Sequence, residues 1–442
     1  MDRGLTGGTA VDPNRAGRYA HPSSCQVPAA ILPVAGPIPL SSNTASPHGS
    51  GALVLQASIA SFLVSVCQWG FVPLFPDMAS DLNFGPDQFS VLAALPSILN
   101  ALLVIPMGRL TDRFPATLIL MFGAASLAIG VTLRAVVEGA ALFALAQVVA
   151  GFGWPAFMAA LVTVVLRQVP PQGRTQALGW VLFWGGVGQA LGYVIIGISG
   201  QHFGWRATSY AAALVAVLAL PVLRGMRTAV GTGVAAQSGG GMLAAIGFLR
   251  RPRVAALFAV PMLMMVINNG AIYLLPFALR DAGRDSAETG VLMVPLIIGM
   301  LFTSALVGRL TERFGSDRVA KGILGLDSAG LFLFAILGTL VPVVVLAYFL
   351  MGAVAGTIIT IGQARFVAIA ERTGAVGPGV AVGCARLAQA IGTAIGPAVA
   401  GVVYVQFSLA AAFALFGVLA AVCVVVAGFC YADRVPRSGQ GM

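Results

Sequence analysis

The stretch Gly108-Arg109-Leu110-Thr111-Asp112-Arg113-Phe114 recurs 200 residues later as Gly308-Arg309-Leu310-Thr311-Glu312-Arg313-Phe314. Six of the seven positions are identical, and the seventh exchanges one acid for another. Each copy follows a long apolar run, Phe89 to Met107 in the first and Gly290 to Val307 in the second, and precedes another. Each is therefore read as a short charged turn between two apolar helices. A loop repeated at this distance makes the chain two versions of one unit.

Composition decides the solvent. With 58% hydrophobic residues, 9% charged residues and a mean hydropathy of +0.93, the 442-residue chain is too apolar for a soluble protein, in which about a quarter of residues carry charge. It belongs in a lipid bilayer. The net charge of +10 raises the question of nucleic acid, but the basic residues lie in short breaks between apolar runs and form no patch on a soluble domain, so no nucleic-acid partner is expected. Cys25, Cys67, Cys384, Cys423 and Cys430 show no paired spacing, and all but the first fall inside apolar runs, where a thiol behaves as a small hydrophobe.

Residues 1–50 are rich in Pro, Gly, Ser and Ala, and Pro28, Pro33, Pro37 and Pro39 break their one apolar stretch. They are expected to be a disordered tail, not a signal peptide. From Ala52 onward, runs of about 20 apolar residues, the helical length that crosses a bilayer, alternate with short polar breaks. Six spans are predicted over 51–223: 52–75, 88–107, 117–136, 140–166, 175–199 and 207–223. A linker follows at 224–252. Six more spans occupy 253–431: 254–279, 287–307, 319–340, 342–370, 379–404 and 408–431, with a tail at 432–442. Sixteen Lys or Arg fall on the side of the repeated loops against four on the other, Arg134, Arg206, Arg280 and Arg284. The positive-inside rule puts the repeated loops, the linker and both termini in the cytoplasm, with an inner membrane expected.

On the doubled loop the chain resembles the major facilitator superfamily of membrane transporters, whose hallmark is a Gly-x-Leu-x-Asp-Arg-x-Gly loop between the second and third helices of each half. The resemblance covers about residues 51 to 431. The first copy carries Pro115 where the family has Gly, whereas the second keeps Gly315, Arg318 and Lys321. The resemblance implies an all-α membrane protein of twelve helices in two pseudo-symmetric six-helix bundles. It also implies a monomer without a cofactor that moves a small molecule by alternating access, with protons as a candidate coupling ion. It makes Gly108, Asp112, Arg113, Gly308, Glu312 and Arg313 a latch between the halves. Physically, the glycines let helix ends approach, and the acids can accept from a helix N-terminus or pair with an Arg. Setting topology alone is the competing reading of these charges, and the latch is favoured over it because the pattern fixes an acid as well as bases.

The fifth and eleventh spans also repeat, as Gly188-Gln189-Ala190-Leu191-Gly192 and Gly392-Thr393-Ala394-Ile395-Gly396. In the family a Gly-Pro step in the fifth span accompanies antiport. Here Pro397 lies in the eleventh and Tyr193 takes its place in the fifth, so close helix packing is the favoured reading.

Charges inside spans are costly unless paired or wet. Three lie well inside: Asp327, Arg365 and Arg386. One hypothesis has Arg386 binding an anionic substrate group with Asp327 and Arg365 paired nearby; the alternative is structural pairing or snorkelling. No carboxylate lies in the middle of the first, second, fourth or fifth span, and Gln147 replaces the fourth-span Arg of many proton-coupled exporters, which argues against the usual coupling residues. Neutral polar groups dominate elsewhere: Gln68, Trp154, Gln189, Gln389, and Asn268 and Asn269 with Tyr273. Amides and aromatics suit an amphipathic organic solute, although each amide alone serves as well between helices. Asn268 or Asn269 is the leading substrate contact, one of the two only, because neighbours on a helix point about 100° apart.

The expected function is movement of a small organic solute, with export ahead of import, since Gly290-Val291-Leu292-Met293-Val294-Pro295 resembles the drug-export branch. Uptake of an organic anion through Arg386 and a non-transporting membrane sensor are the alternatives. No metal spacing and no nucleophile–base constellation suggests an enzyme.

Overall fold

A computed structural model describes residues 48–226 and 242–430. Residues 1–47 and 431–442, which hold nearly all of the tails expected at 1–50 and 432–442, with Cys25, and residues 227–241 of the expected linker lie outside the described residues. Among the described residues all regular structure is helical.

In the first half, α1 (His48–Trp69) continues through a 3-10 turn, Val72–Leu74, into α2 (Phe75–Asp81). Then come α3 (Pro86–Ala93), α4 (Leu95–Arg113), α5 (Ala116–Ala135), α6 (Ala140–Gln168) and α7 (Arg174–Arg224). A short α8 (Met242–Leu249) falls in the expected linker. The second half holds α9 (Pro252–Asp281), α10 (Ser286–Phe314), α11 (Ser316–Leu337), α12 (Val341–Thr373), α13 (Pro378–Gln406) and α14 (Leu409–Cys430). The second predicted span is divided between α3 and α4, whose second residue, Pro96, has no amide hydrogen to continue a helix ladder.

Eleven of these segments are long and apolar enough to cross a membrane, and one of them is double. A continuous helix of 51 residues would run about 76 Å, more than twice a bilayer core. Instead α7 breaks at Gly204 (φ 78°, ψ 158°), a conformation open to glycine. The chain reverses there: Gly192 lies on Val66, and twenty residues on, the Ala212 carbonyl accepts from Cys67 Sγ at 3.1 Å. The fifth and sixth spans are therefore the two limbs of α7, which gives twelve crossings.

Repetition in the sequence becomes repetition in packing. A Cβ added at Gly188 would stand 2.4 Å from the Phe62 carbonyl oxygen, and one added at Gly392 would stand 2.1 Å from that of Met262. One turn on, Gly192 lies against Val66 and Gly396 against Val266. Each partner in the second half is the first-half partner displaced by 200 residues. Bare backbones in contact gain van der Waals packing where lipid offers no hydrophobic drive. The same symmetry relates the joints between halves: Gly197 meets Ser286, and Gly401 meets Asp87 and Ser90.

The repeated loops differ from the short turns expected. Helix α4 runs to Arg113 and α10 to Phe314, so the charges sit on the last helical turns, where basic residues suit the negative end of the helix dipole. In both copies a threonine bonds back along the helix: Thr111 Oγ1 donates to the Gly108 carbonyl at 2.7 Å and Thr311 Oγ1 to that of Gly308 at 2.8 Å. The connections that follow diverge. Gly315 turns the second copy at φ 81°, whereas Phe114 and Pro115 turn the first at φ −116° and −55°.

Candidate functional site between the two halves

Hydrogen bonds, an ion pair and ring contacts join the halves at the end away from the repeated loops, here called the far end. Arg280 pairs with Asp77. Gln201 Nε2 donates to Asp285 Oδ2 at 2.7 Å, while Asp285 Oδ1 accepts from the Glu288 amide at 2.8 Å and so caps α10. Ser286 Oγ donates to the Gly197 carbonyl at 3.2 Å. Beneath these lies a plug of rings: Tyr273 against Phe75 at 5.1 Å, Phe89 against Phe277 at 6.0 Å, and Phe89 against Phe75 and Phe143. Such tilted pairs bury large apolar area and exclude water. Apolar contact between the halves reaches down to Gly186 against Leu301. At the repeated-loop end, no atom lies within 4 Å of a Cβ placed on Gly108 or Gly308.

The expected latch residues are placed as follows. Arg113, Glu312 and Arg313 are exposed, and Arg313 lies over its neighbour Phe314 at 5.2 Å. Among the described residues no ion pair involves Glu312. The side chain of Asp112 lies outside the described part of the structure.

Gln68 is half-buried and its Oε1 has no partner. The next residue, Trp69, meets the half-buried Trp154 edge-to-face at 5.8 Å, which joins α1 to α6 beside Gln68. Gln189 Nε2 donates to the hydroxyl of the buried Tyr193 at 2.7 Å. The two asparagines are buried between helices of the second half. Asn268 Nδ2 donates to the Met351 carbonyl at 3.2 Å, and Asn269 Nδ2 donates to the Met265 carbonyl at 3.2 Å and to Thr393 Oγ1 at 3.3 Å. Tyr273 belongs to the ring plug. Gln389 is half-buried on α13.

The intramembrane charges do not form the trio envisaged. Arg365 Nη2 donates to Ser316 Oγ at the start of α11. Asp327 is 1% exposed, eleven residues further along α11, and neither of its oxygens has a hydrogen-bond partner. The two lie too far apart along α11 to pair, because each residue advances the helix about 1.5 Å. Arg386 is exposed on α13 and has no partner among the described residues. It precedes Gly401 by fifteen residues, which at 100° each puts it about 60° from the face α13 turns to the first half.

One residue was missed. Arg134, counted among the far-side loop charges, is only 6% exposed. Its Nη2 donates to Gln147 Oε1 at 2.8 Å, and its guanidinium stands 4.6 Å from the Phe71 ring centre. The signal lay in the α5–α6 register. Gly130 packs on Ala150 and Gly123 on Phe157, so an antiparallel pairing carries residue 134 to 146, next to Gln147.

A family model described as the Major Facilitator Superfamily matches residues 57–377 and again 280–441. The chain belongs to the Major Facilitator Superfamily. Its fold matches that of a nucleoside transporter, NupG, in the crystal structure of a point mutant, with a TM-score of 0.73 at 17% identity over 86% of this chain and 100% of that one. It also resembles a bacterial homologue of the human lysosomal transporter Spinster, captured inward-facing and unoccupied, with a TM-score of 0.65 at 16% identity over 88% of this chain and 96% of the other. This superfamily member is a multi-pass membrane protein of the secondary-transporter kind, and its solute is a small molecule.

Proposed function

We propose that this transporter carries a small organic solute by alternating access, binding it between bundles 51–223 and 253–431 below the ring plug. The observation that carries the reading is the joining of the halves at the far end above half-buried amides and indoles, Gln68, Trp69 and Trp154 on one side and Gln389 on the other. Aromatic faces with a few polar groups fit an amphipathic organic molecule. The excess of Lys and Arg beside the repeated loops supports a cytoplasmic location for them and for both termini, in an inner membrane. The repeated loops then form a latch when the halves close on that side, through Gly108, Asp112, Arg113, Gly308, Glu312 and Arg313. The stretch Gly290 to Pro295, which resembles the drug-export branch, favours export as the direction, with protons only a candidate coupling ion.

A thermal-shift screen of the purified chain against nucleosides, sugars, amino acids, organic acids and lipophilic drugs tests the site, because a ligand of the folded state raises its stability. A hit whose shift is lost in Trp154→Ala supports the site; a hit unaffected by both Trp154→Ala and Gln68→Ala sinks it. Uptake of an organic anion through Arg386 is the second reading, favoured by the exposure of that side chain without a partner. It requires that Arg386→Ala abolish the shift of an organic acid.

A further inference from the structure

Four arginines lie toward the far end, and three of them have a carboxylate. Arg206 pairs with Asp81, Arg280 with Asp77 and Arg284 with Glu288, all partly exposed. Arg134 differs on both counts. It is 6% exposed, and among the described residues it has no acid within ion-pair distance. A guanidinium has five N–H donors and keeps its charge at any accessible pH, so burial without a counter-ion leaves a standing demand for an anion. Gln147 Oε1 meets one donor and the Phe71 ring one face, but Nε has no acceptor at all. A neutral amide and a ring quadrupole position the cation without neutralising it.

Its surroundings place this demand at the head of the proposed site. Gln147 precedes Trp154 by seven residues, two turns on the same face of α6. Phe71 lies just past Trp69 and Gln68 in α1, and Gln68 Oε1 is itself unpartnered. Phe75, four residues past Phe71, meets the ring of Tyr273 from the second half at 5.1 Å. The cation thus sits where both halves converge, under the ring plug.

We propose that Arg134 receives an oxyanion of the transported solute, a carboxylate or a phosphate monoester, with Gln147 and Phe71 holding the guanidinium in place. The inference rests on the central-site reading above and gives that site its substrate class. It separates anion recognition from Arg386, which lies eight residues into α13 from its repeated-loop end.

The test compares matched pairs by thermal shift and equilibrium binding on the full-length chain: carboxylic acids against their primary amides, phosphate monoesters against their parent alcohols, and chloride, sulfate and inorganic phosphate alone. The expected result is an acid or monoester that stabilises the wild type and an uncharged twin bound at least about tenfold more weakly. Arg134→Gln should weaken the anion about 10- to 100-fold, as loss of a charged hydrogen bond does. Arg134→Lys should recover part of the affinity, and the surface change Arg284→Gln should leave it intact. Melting without ligand reports whether each variant folds; if Arg134→Gln does not, the Lys variant and the matched pairs decide. Equal binding of anion and twin overturns the proposal, as does binding that survives Arg134→Gln, a response to inorganic anions only, or no response in any pair. Uncharged twins that bind in a Trp154-dependent way would leave the transporter site standing while the anion inference falls.

Discussion

The two ends of the helix bundle are built on different principles. At the repeated-loop end the sequence is most conspicuous, with seven-residue charged copies on the last turns of α4 and α10, yet Glu312 and Arg313 are exposed and the space beside Gly108 and Gly308 is empty. At the far end the residues are ordinary, four phenylalanines, a tyrosine and a few acids, and they carry the bonds between halves. A repeated motif therefore marks two equivalent places in the fold, while the named bonds between the halves lie elsewhere.

Substitutions can break the comparison, beginning with the strongest. A Cβ at Gly290 would fall 2.2 Å from the Tyr193 carbonyl oxygen, a backbone atom that cannot yield. Gly290→Val should cost more than about 3 kcal/mol, seen as loss of a monodisperse peak or a collapsed melting point, while Gly308→Val should shift melting by no more than about 1 kcal/mol. Phe89→Ala removes a fully buried ring that touches Phe75, Phe143 and Phe277, and should cost about 3 kcal/mol by the same melting assay. Asp285→Ala loses both the α10 cap and the bond to Gln201, and about 1 to 2 kcal/mol is expected in chemical or thermal unfolding. Glu312→Gln should leave stability within about 0.5 kcal/mol. If the latch forms when the repeated-loop end closes, that same change should slow transport in proteoliposomes; unaltered transport would reduce the motif to a topology signal.

The contrast also explains what could be read in advance. Twelve crossings were legible because length and apolarity are local properties, and Gly188–Gly192 and Gly392–Gly396 announced close packing because only small residues permit it. The break that separates the fifth and sixth crossings was legible as a polar gap, and Gly204 makes the turn within it at a non-helical φ of 78°. The far-end plug left no trace, since Phe75 and Tyr273 are about two hundred residues apart and look like any span residue. The asparagines suggested a solute contact but bond to Met351, Met265 and Thr393, because a buried amide takes the nearest acceptor or donor in its own bundle. Arg134 looked like a loop charge because it ends an apolar run; its burial arises only when α6 packs alongside.

The central claim is that the halves exchange their joined end when a solute moves. Spin labels on an otherwise cysteine-free chain would measure it directly, one pair at Arg109 and Arg309 and another at Phe203 and Ala282, all exposed positions. With a stabilising solute and an imposed gradient, the account predicts a new population in which the first distance shortens as the second lengthens. Distances that stay fixed, or that lengthen and shorten together, would contradict it.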